Sequence, residues 1–390
     1  MSLSSEIENT PAGKGAPAKR VATRTIFFVT GMAVGLWGIL VPYAQLRTHS
    51  EAGTLGLLLL CLGAGSLLSM LGSGKFIGRF GCRSVIITAV LMYCLMLPLL
   101  ATFSEIWLLA LSLFIFGMGI GLADVAVNVQ GAIVEQAAGK ALMSGFHCLW
   151  SVGGIAGAGG GALLLSSGVT PQGSTFYAVS LVILGTAYSF RGLLPFGAHE
   201  EENTEGKPKA RPNFRLILMA VMAMICFMAE GAVLDWSGVF LTREHGLALE
   251  HAGWGLAVFA VAMSLMRLTG DAIISALGRK RVLLAGGILG AAGYLMVVLL
   301  PGFILPICGF ALVGMGVANI APVLITLAGQ EKVMPVNMSV AMVATLGYLG
   351  ILGGPALIGF IAHFSSLYIG FSIVAAALLI ITFGAYKLKY

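Results

Sequence analysis

The residues with the most chemistry to offer lie in Gly117–Glu135, GMGIGLADVAVNVQGAIVE, where an aspartate and an asparagine stand inside a long apolar run. Read as a helix, Gly117, Gly121, Asp124, Asn128, Gly131 and Glu135 share one narrow face, because each lies close to a whole number of turns from the first. The remaining faces carry Val, Ile, Leu and Ala. A carboxylate turned to hydrocarbon costs about 3 kcal/mol or more, so this face must meet protein or water, and an acid so placed marks a proton or solute path. Asp124 is therefore a proton-coupling candidate, with a structural acid paired to a neighbouring helix as the alternative reading.

Few other polar residues interrupt the apolar segments. Glu230 falls beyond the middle of its segment and is a second proton-coupling candidate, or else one half of a salt bridge. Asp235 and Trp236 follow it, where an interfacial tryptophan beside a solvated acid is the common arrangement. Arg267 and Asp271 are spaced i, i+4, so a local ion pair would lower the cost of burying either; gate opening is their functional reading. His147 titrates near neutral pH when unperturbed, and is read both as a solute ligand and as a hydrogen-bonded core residue. Trp37, Trp150 and Tyr348 offer rings with a polar handle for a sugar, or ordinary helix packing. Asn319 and Pro322 predict a locally broken helix whose freed carbonyls meet water or ligand, with a plain kink as the alternative.

The elements that must position these groups follow from composition. The chain has 390 residues, 58% hydrophobic and only 10% charged, which excludes an ordinary soluble domain. Windows of about 20 apolar residues, enough to cross about 30 Å of hydrocarbon, recur twelve times. They fall near 25–46, 52–73, 84–103, 105–130, 141–166, 174–195, 214–240, 252–275, 281–300, 302–328, 338–362 and 367–386. The expectation is an all-α membrane protein with a disordered cytoplasmic tail (1–24), a six-helix bundle (25–195), a charged linker (196–213) and a second bundle (214–390). Lys and Arg cluster at Lys19–Arg24, Lys75–Arg83, Lys140, Lys207–Arg215, Arg279–Arg281, Lys332 and Lys387–Lys389, while Arg47 and Arg243 lie on the other side. The positive-inside rule then puts both termini in the cytoplasm, and contact with anionic lipid accounts for the net charge of +6 without nucleic acid. Six cysteines without CxxC spacing read as core residues, so no metal or disulfide framework is expected. Neither a P-loop nor an HExxH motif occurs, so no nucleotide or other cofactor and no enzymatic activity is expected.

The chain also repeats at an offset of about 197 residues. Gly117-Met118-Gly119 recurs as Gly314-Met315-Gly316, the basic turn at Gly81 recurs at Gly278, and the glycine run at Gly153 recurs at Gly350. Parallel six-helix halves of this kind hold a site near the bilayer midplane and expose it alternately.

The turn Gly74-Lys-Phe-Ile-Gly78-Arg79-Phe-Gly81-Cys-Arg83 resembles the loop between helices 2 and 3 of the major facilitator superfamily, with Gly78 where that family has an aspartate. The second copy, Leu277-Gly278-Arg279-Lys280-Arg281, also lacks the acid. Arg79, Arg83, Arg279, Arg267 and Asp271 are the gating or structural charges this resemblance and the spacing suggest. Gly119-x-Gly121-x-x-Asp124-x-x-x-Asn128 is similar to the fourth helix of the fucose permease group, where the matching acid is linked to proton-coupled sugar uptake; the further acid of helix 1 in that group is missing. Asp124-Val-Ala-Val-Asn128-Val, Ala229-Glu230-Gly231 with Asp235-Trp236, and Val343-Ala344-Thr345-x-Gly347-Tyr348-Leu349 resemble bacterial inner-membrane permeases of the YbjJ type, a subgroup that brings no substrate with it. The resemblance implies a twelve-helix fold and a monomeric transporter of a small polar solute, a sugar or related metabolite, coupled to protons. Trp37, Asn128, His147, Trp150, Asn319 and Tyr348 are the solute-binding candidates. Drug/proton efflux is an alternative within the class, and a non-transporting receptor or scaffold one outside it.

Overall fold

In hydrocarbon every backbone N–H and C=O needs a partner inside the protein, and a long apolar segment meets that need by coiling on itself. The computed structural model describes residues 12–197 and 211–388, which form helices joined by short turns, with no strand among them. The first helix, α1, is Ala12–Thr48. A 49-residue helical stretch follows, Ala52–Leu100. At 1.5 Å per residue it would reach about 73 Å, more than twice the hydrocarbon thickness, so it must cross twice. It turns at Gly81, whose φ of 76° and ψ of 163° only glycine adopts readily, and this break separates α2 (52–80) from α3 (82–100). Then come α4 (Ile106–Ala138), α5 (Met143–Ser166), α6 (Pro171–Ser189), α7 (Phe214–Arg243), α8 (Trp254–Leu277), α9 (Arg279–Leu299), α10 (Ile304–Val317), α11 (Ile320–Gln330), α12 (Val336–Phe364) and α13 (Leu367–Lys387). The described residues hold 11 helices long and apolar enough to span a membrane; with the one broken at Gly81 counted as two, they provide twelve. α10 and α11 together form one of them.

Helix ends are set by local chemistry. Asn213 caps α7 by accepting from the Leu216 N–H at 2.9 Å, Thr170 caps α6 by accepting from Gly173 ahead of a proline at the first helical position, and Gly139 ends α4 in the left-handed region.

Two sequence expectations need correction. The supposed disordered tail is helical from residue 12, because its later part has something to pack on: Ala22 and Thr23 are buried, and Gln130 of α4 donates to the Thr23 hydroxyl at 3.2 Å. The basic stretch after position 73 is likewise helix, with Gly81 alone interrupting it. The greater part of the expected linker, 198–210 with Lys207, lies outside the described residues.

The described residues divide into two compact units. The first runs to Gly139 and includes Phe146–Ala210 and Met334–Ala341; the second comprises Lys140–Gly145, Arg211–Val333 and the residues from Met342 onward. Each has its own buried core, with Phe27, Tyr93, Phe116 and Phe146 in the first and Phe240, Tyr294, Phe310 and Phe371 in the second.

The internal repeat has a structural counterpart at each landmark. A Cβ on Gly117 would overlap the Leu62 carbonyl, and one on Gly314 would overlap that of Phe259; the partners are themselves 197 residues apart. Gly81 and Gly278 share one backbone conformation, with φ of 76° and 81°. Gly153 and Gly350 each lie against a carbonyl of the first helix of their own unit, Phe28 and Met224. Small residues at these contacts let the helices touch backbone to backbone, which replaces the hydrophobic driving force that lipid does not supply.

Candidate functional site

The first unit assembles a polar chain from α4 and α5. Asp124 and Asn128 are one turn apart, and the Asn128 Nδ2 donates to the Asp124 carbonyl at 2.9 Å and reaches its Oδ1 at 3.4 Å. With its nitrogen committed there, the Asn128 oxygen is the acceptor, and it lies 3.1 Å from the Nε2 of His147. His147 therefore presents Nε2–H, either as that neutral tautomer or as the imidazolium. Phe27 of α1 lies beside the imidazole, with ring centroids 5.4 Å apart. The close approach of α1 to α5 explains that contact: a Cβ on Gly31 would overlap the Trp150 carbonyl, and one on Gly153 that of Phe28. Asp124 is half-buried and Asn128 fully buried. Carboxyl, amide and imidazole in one line can bind a hydroxylated solute and can pass or hold a proton.

The stripe predicted on α4 is real but shared between jobs. Gly117 and Gly121 pack against α2 at Leu62 and Ser66, while Asp124 and Asn128 serve the polar chain. Gln130, off the stripe and not singled out from sequence, is also buried: its amide donates to Thr23 and Gly192 and its oxygen accepts from the Leu194 N–H at 3.0 Å. A lone glutamine within VNVQGAIVE was the available signal.

The second unit builds its polar group on a broken helix. Pro322 has no N–H to give the Ala318 carbonyl and its ring crowds that oxygen, so the helix yields between α10 and α11, where Asn319 takes φ −105° and ψ 0°. The expected break is thus present, and the freed carbonyls are used. Ala318 accepts from the Arg267 Nε at 3.3 Å, and Val317 from the Cys226 thiol at 3.6 Å. Asn319 donates to the Met266 carbonyl at 3.2 Å. Arg267, only 5% exposed, places Nη2 3.8 Å from the Glu230 carboxylate on α7. Asp271 accepts from the backbone N–H of Ser144 at 3.0 Å and of Gly145 at 3.1 Å, at the positive end of α5. Sequence spacing suggested Arg267 with Asp271; the tertiary structure gives Arg267 an acid on another helix and Asp271 a helix terminus.

The other candidates are distributed over both units. Trp37 is buried against Phe116, with centroids 6.4 Å apart, which leaves its ring little surface for a solute. Trp150 and Tyr348 are half-buried, in different units. The Trp236 indole donates to the Pro355 carbonyl at 2.9 Å, satisfying an acceptor near the proline of α12, while Asp235 is exposed. Arg83 donates to the Leu193 carbonyl at 3.0 Å and lies over the Phe190 ring, holding the end of the first unit to the Gly81 turn. Arg79 is exposed and lies over Phe80, and Arg279 donates to Gln330 at 3.1 Å. Gly78, where the family motif has its aspartate, faces the Asn337 amide, which donates to the Gly74 carbonyl at 2.5 Å. Among the described residues no three His, Cys, Asp or Glu side chains cluster as metal ligands.

The Major Facilitator Superfamily family model matches residues 25–332, most of the chain. The chain belongs to the Major Facilitator Superfamily. An uncharacterized MFS-type transporter of Yersinia pestis is 44% identical over 368 residues, covering 94% of this chain and 95% of the relative. An uncharacterized transporter of Sinorhizobium fredii is 32% identical over 355 residues, covering 89% and 92%. Among solved structures, the E. coli fucose:proton symporter FucP superposes with a TM-score of 0.81 at 18% identity, covering 97% of this chain and 100% of that one. At that identity the likeness is one of fold. The protein is thus a multi-pass membrane transporter of this superfamily, whose members bind small-molecule substrates.

Proposed function

We propose that this transporter moves a small polar solute, of the sugar or related-metabolite class, coupled to protons by alternating access. The observation that carries the reading is the Asp124–Asn128–His147 chain, a carboxyl, an amide and an imidazole joined by hydrogen bonds within an apolar bundle. Placing three such groups together inside apolar helices has no packing advantage over aliphatic side chains, since any that is buried must be satisfied to avoid a penalty of about 1–3 kcal/mol. Hydroxyl-rich solutes meet the amide and imidazole; a proton meets the carboxylate. FucP, similar in fold, is a fucose:proton symporter, which agrees with this assignment. The distribution of basic residues supports a reading in which both termini lie on the cytoplasmic side of a bacterial inner membrane.

The test begins with a thermal-shift screen of the detergent-purified protein against sugars, organic acids and drugs. The solute so found is then followed in proteoliposomes, with and without an imposed proton gradient. Asp124→Asn mimics the protonated acid at nearly unchanged volume. The variant is expected to retain counterflow at equal pH and to lose gradient-driven accumulation. Full accumulation by Asp124→Asn would leave Asp124 a packing residue and turn attention to Glu230.

A further inference from the structure

Away from the polar groups described above, the second unit has a cavity of about 740 Å³ lined by Asn213, Phe214, Arg215, Lys332, Val333 and Lys387, together with Gln330 and Glu331. It lies where the first turn of α7 meets the ends of α11 and α13. Three cations line it against one carboxylate. That carboxylate is already engaged: Glu331 accepts from the Asn213 amide at 3.1 Å and lies 3.8 Å from the Arg215 guanidinium. Lys332 and Lys387 are exposed. The cavity therefore has an excess of positive charge that its own acid does not balance, beside the helix N-terminus of α7, which adds a partial positive charge.

The apolar part of the lining distinguishes the ligand class. Phe214 is 69% exposed and Val333 40%, at the cavity, and Phe383 and Tyr386 on the last turns of α13 are also exposed. Lys280, on α9, sits over the Tyr386 ring at 4.8 Å and adds a further cation beside the end of α13. Exposed aromatic residues next to cations at the end of an apolar span mark the headgroup level of a bilayer. A soluble phosphate has no use for such residues, whereas an amphiphile seated in the cavity places its phosphate on the cations and its glycerol and first methylenes on Phe214 and Val333.

We propose that this cavity is a binding site for the phosphodiester headgroup of an anionic membrane lipid. Arg215, with a planar fork suited to phosphate oxygens, is the directional contact, and Lys332 and Lys387 supply charge. Binding there ties the first turn of α7 to the ends of α11 and α13, and α7 and α11 are the helices that carry Glu230 and Pro322.

The experiment uses the full chain purified in a mild neutral detergent. Phosphatidylglycerol, phosphatidylcholine and inorganic phosphate are each titrated, with melting temperature and native mass spectrometry as readouts. Phosphatidylglycerol is expected to raise the melting temperature and to remain bound in the gas phase; phosphatidylcholine and inorganic phosphate are expected to do neither. Each cation near an anionic headgroup contributes about a fivefold gain in affinity, so R215Q/K332Q/K387Q should weaken phosphatidylglycerol on the order of a hundredfold. Glu331→Gln, which removes only the competing acid, should bind it more tightly and guards against a triple variant that fails to fold. Unchanged phosphatidylglycerol binding in both variants overturns the site. Stabilisation by inorganic phosphate equal to that by phosphatidylglycerol overturns the lipid assignment.

Discussion

Removing Arg267 should damage this protein more than removing Arg267 and its acidic partner together. The guanidinium lies 3.8 Å from Glu230, and the two side chains are only 6% and 16% exposed. At that distance and an effective dielectric of about 20, two unit charges attract by about 4 kcal/mol. Losing one partner leaves the other charge buried without its counter-ion, a loss of about 3–5 kcal/mol in comparable pairs. Replacing both with uncharged residues of similar volume removes the attraction and both desolvation penalties, so most of the loss is recovered. The assay is a set of thermal melts of detergent-extracted protein for R267M, E230Q, D271N, R267M/E230Q and R267M/D271N. Recovery in R267M/E230Q, without recovery in R267M/D271N, is expected from the geometry. If the R267M and E230Q losses simply add in the double variant, with coupling under about 1 kcal/mol, the ion-pair reasoning is refuted; recovery only with D271N restores the pairing suggested by sequence spacing.

Asn128→Ala should weaken solute affinity about tenfold while leaving proton coupling intact, because it removes a hydrogen bond worth about 1.4 kcal/mol and leaves Asp124 in place; equilibrium binding and gradient-driven flux, measured side by side, separate the two effects. Pro322→Ala supplies the N–H that Ala318 lacks and should extend helix through the α10–α11 break, withdrawing the acceptor from Arg267; a melting temperature and solute affinity both equal to the parent's would count against that account. Gly81→Ala should cost more than Gly278→Ala, since both force a side chain into the left-handed region but only at Gly81 does a Cβ also overlap a backbone carbonyl, that of Pro195. Thermal melts rank the two. Reporter fusions near Lys207 and near Arg243 should report cytoplasm and periplasm respectively, and active periplasmic phosphatase near Lys207 would reverse the assigned orientation.

What the sequence determined by itself is what local physics governs. Apolar windows of spanning length can only coil in lipid, so the helices and their number were legible. The repeat was legible because each landmark glycine does a job that no other residue can do: Gly81 and Gly278 take a turn that side chains resist, and Gly117 and Gly314 admit a neighbouring carbonyl. Asp124 and Asn128 could be paired from sequence since one helical turn joins them. Pro322 announced the broken helix for an equally local reason, a missing N–H.

Tertiary structure alone decided the partners. His147 is 19 residues from Asn128, and nothing in either stretch says that α5 turns that imidazole toward that amide; only the packing of α5 in the bundle does so. Arg267 had an acid at i+4, and local spacing favoured it, yet Glu230 from another helix approaches to 3.8 Å and the Ala318 carbonyl to 3.3 Å. Asp271 engages two backbone N–H groups, donors that every residue but proline carries and that no side-chain pattern can flag. Spacing within a helix is encoded by its 3.6-residue period, whereas contacts between helices depend on rotation and crossing, which only the packed bundle fixes.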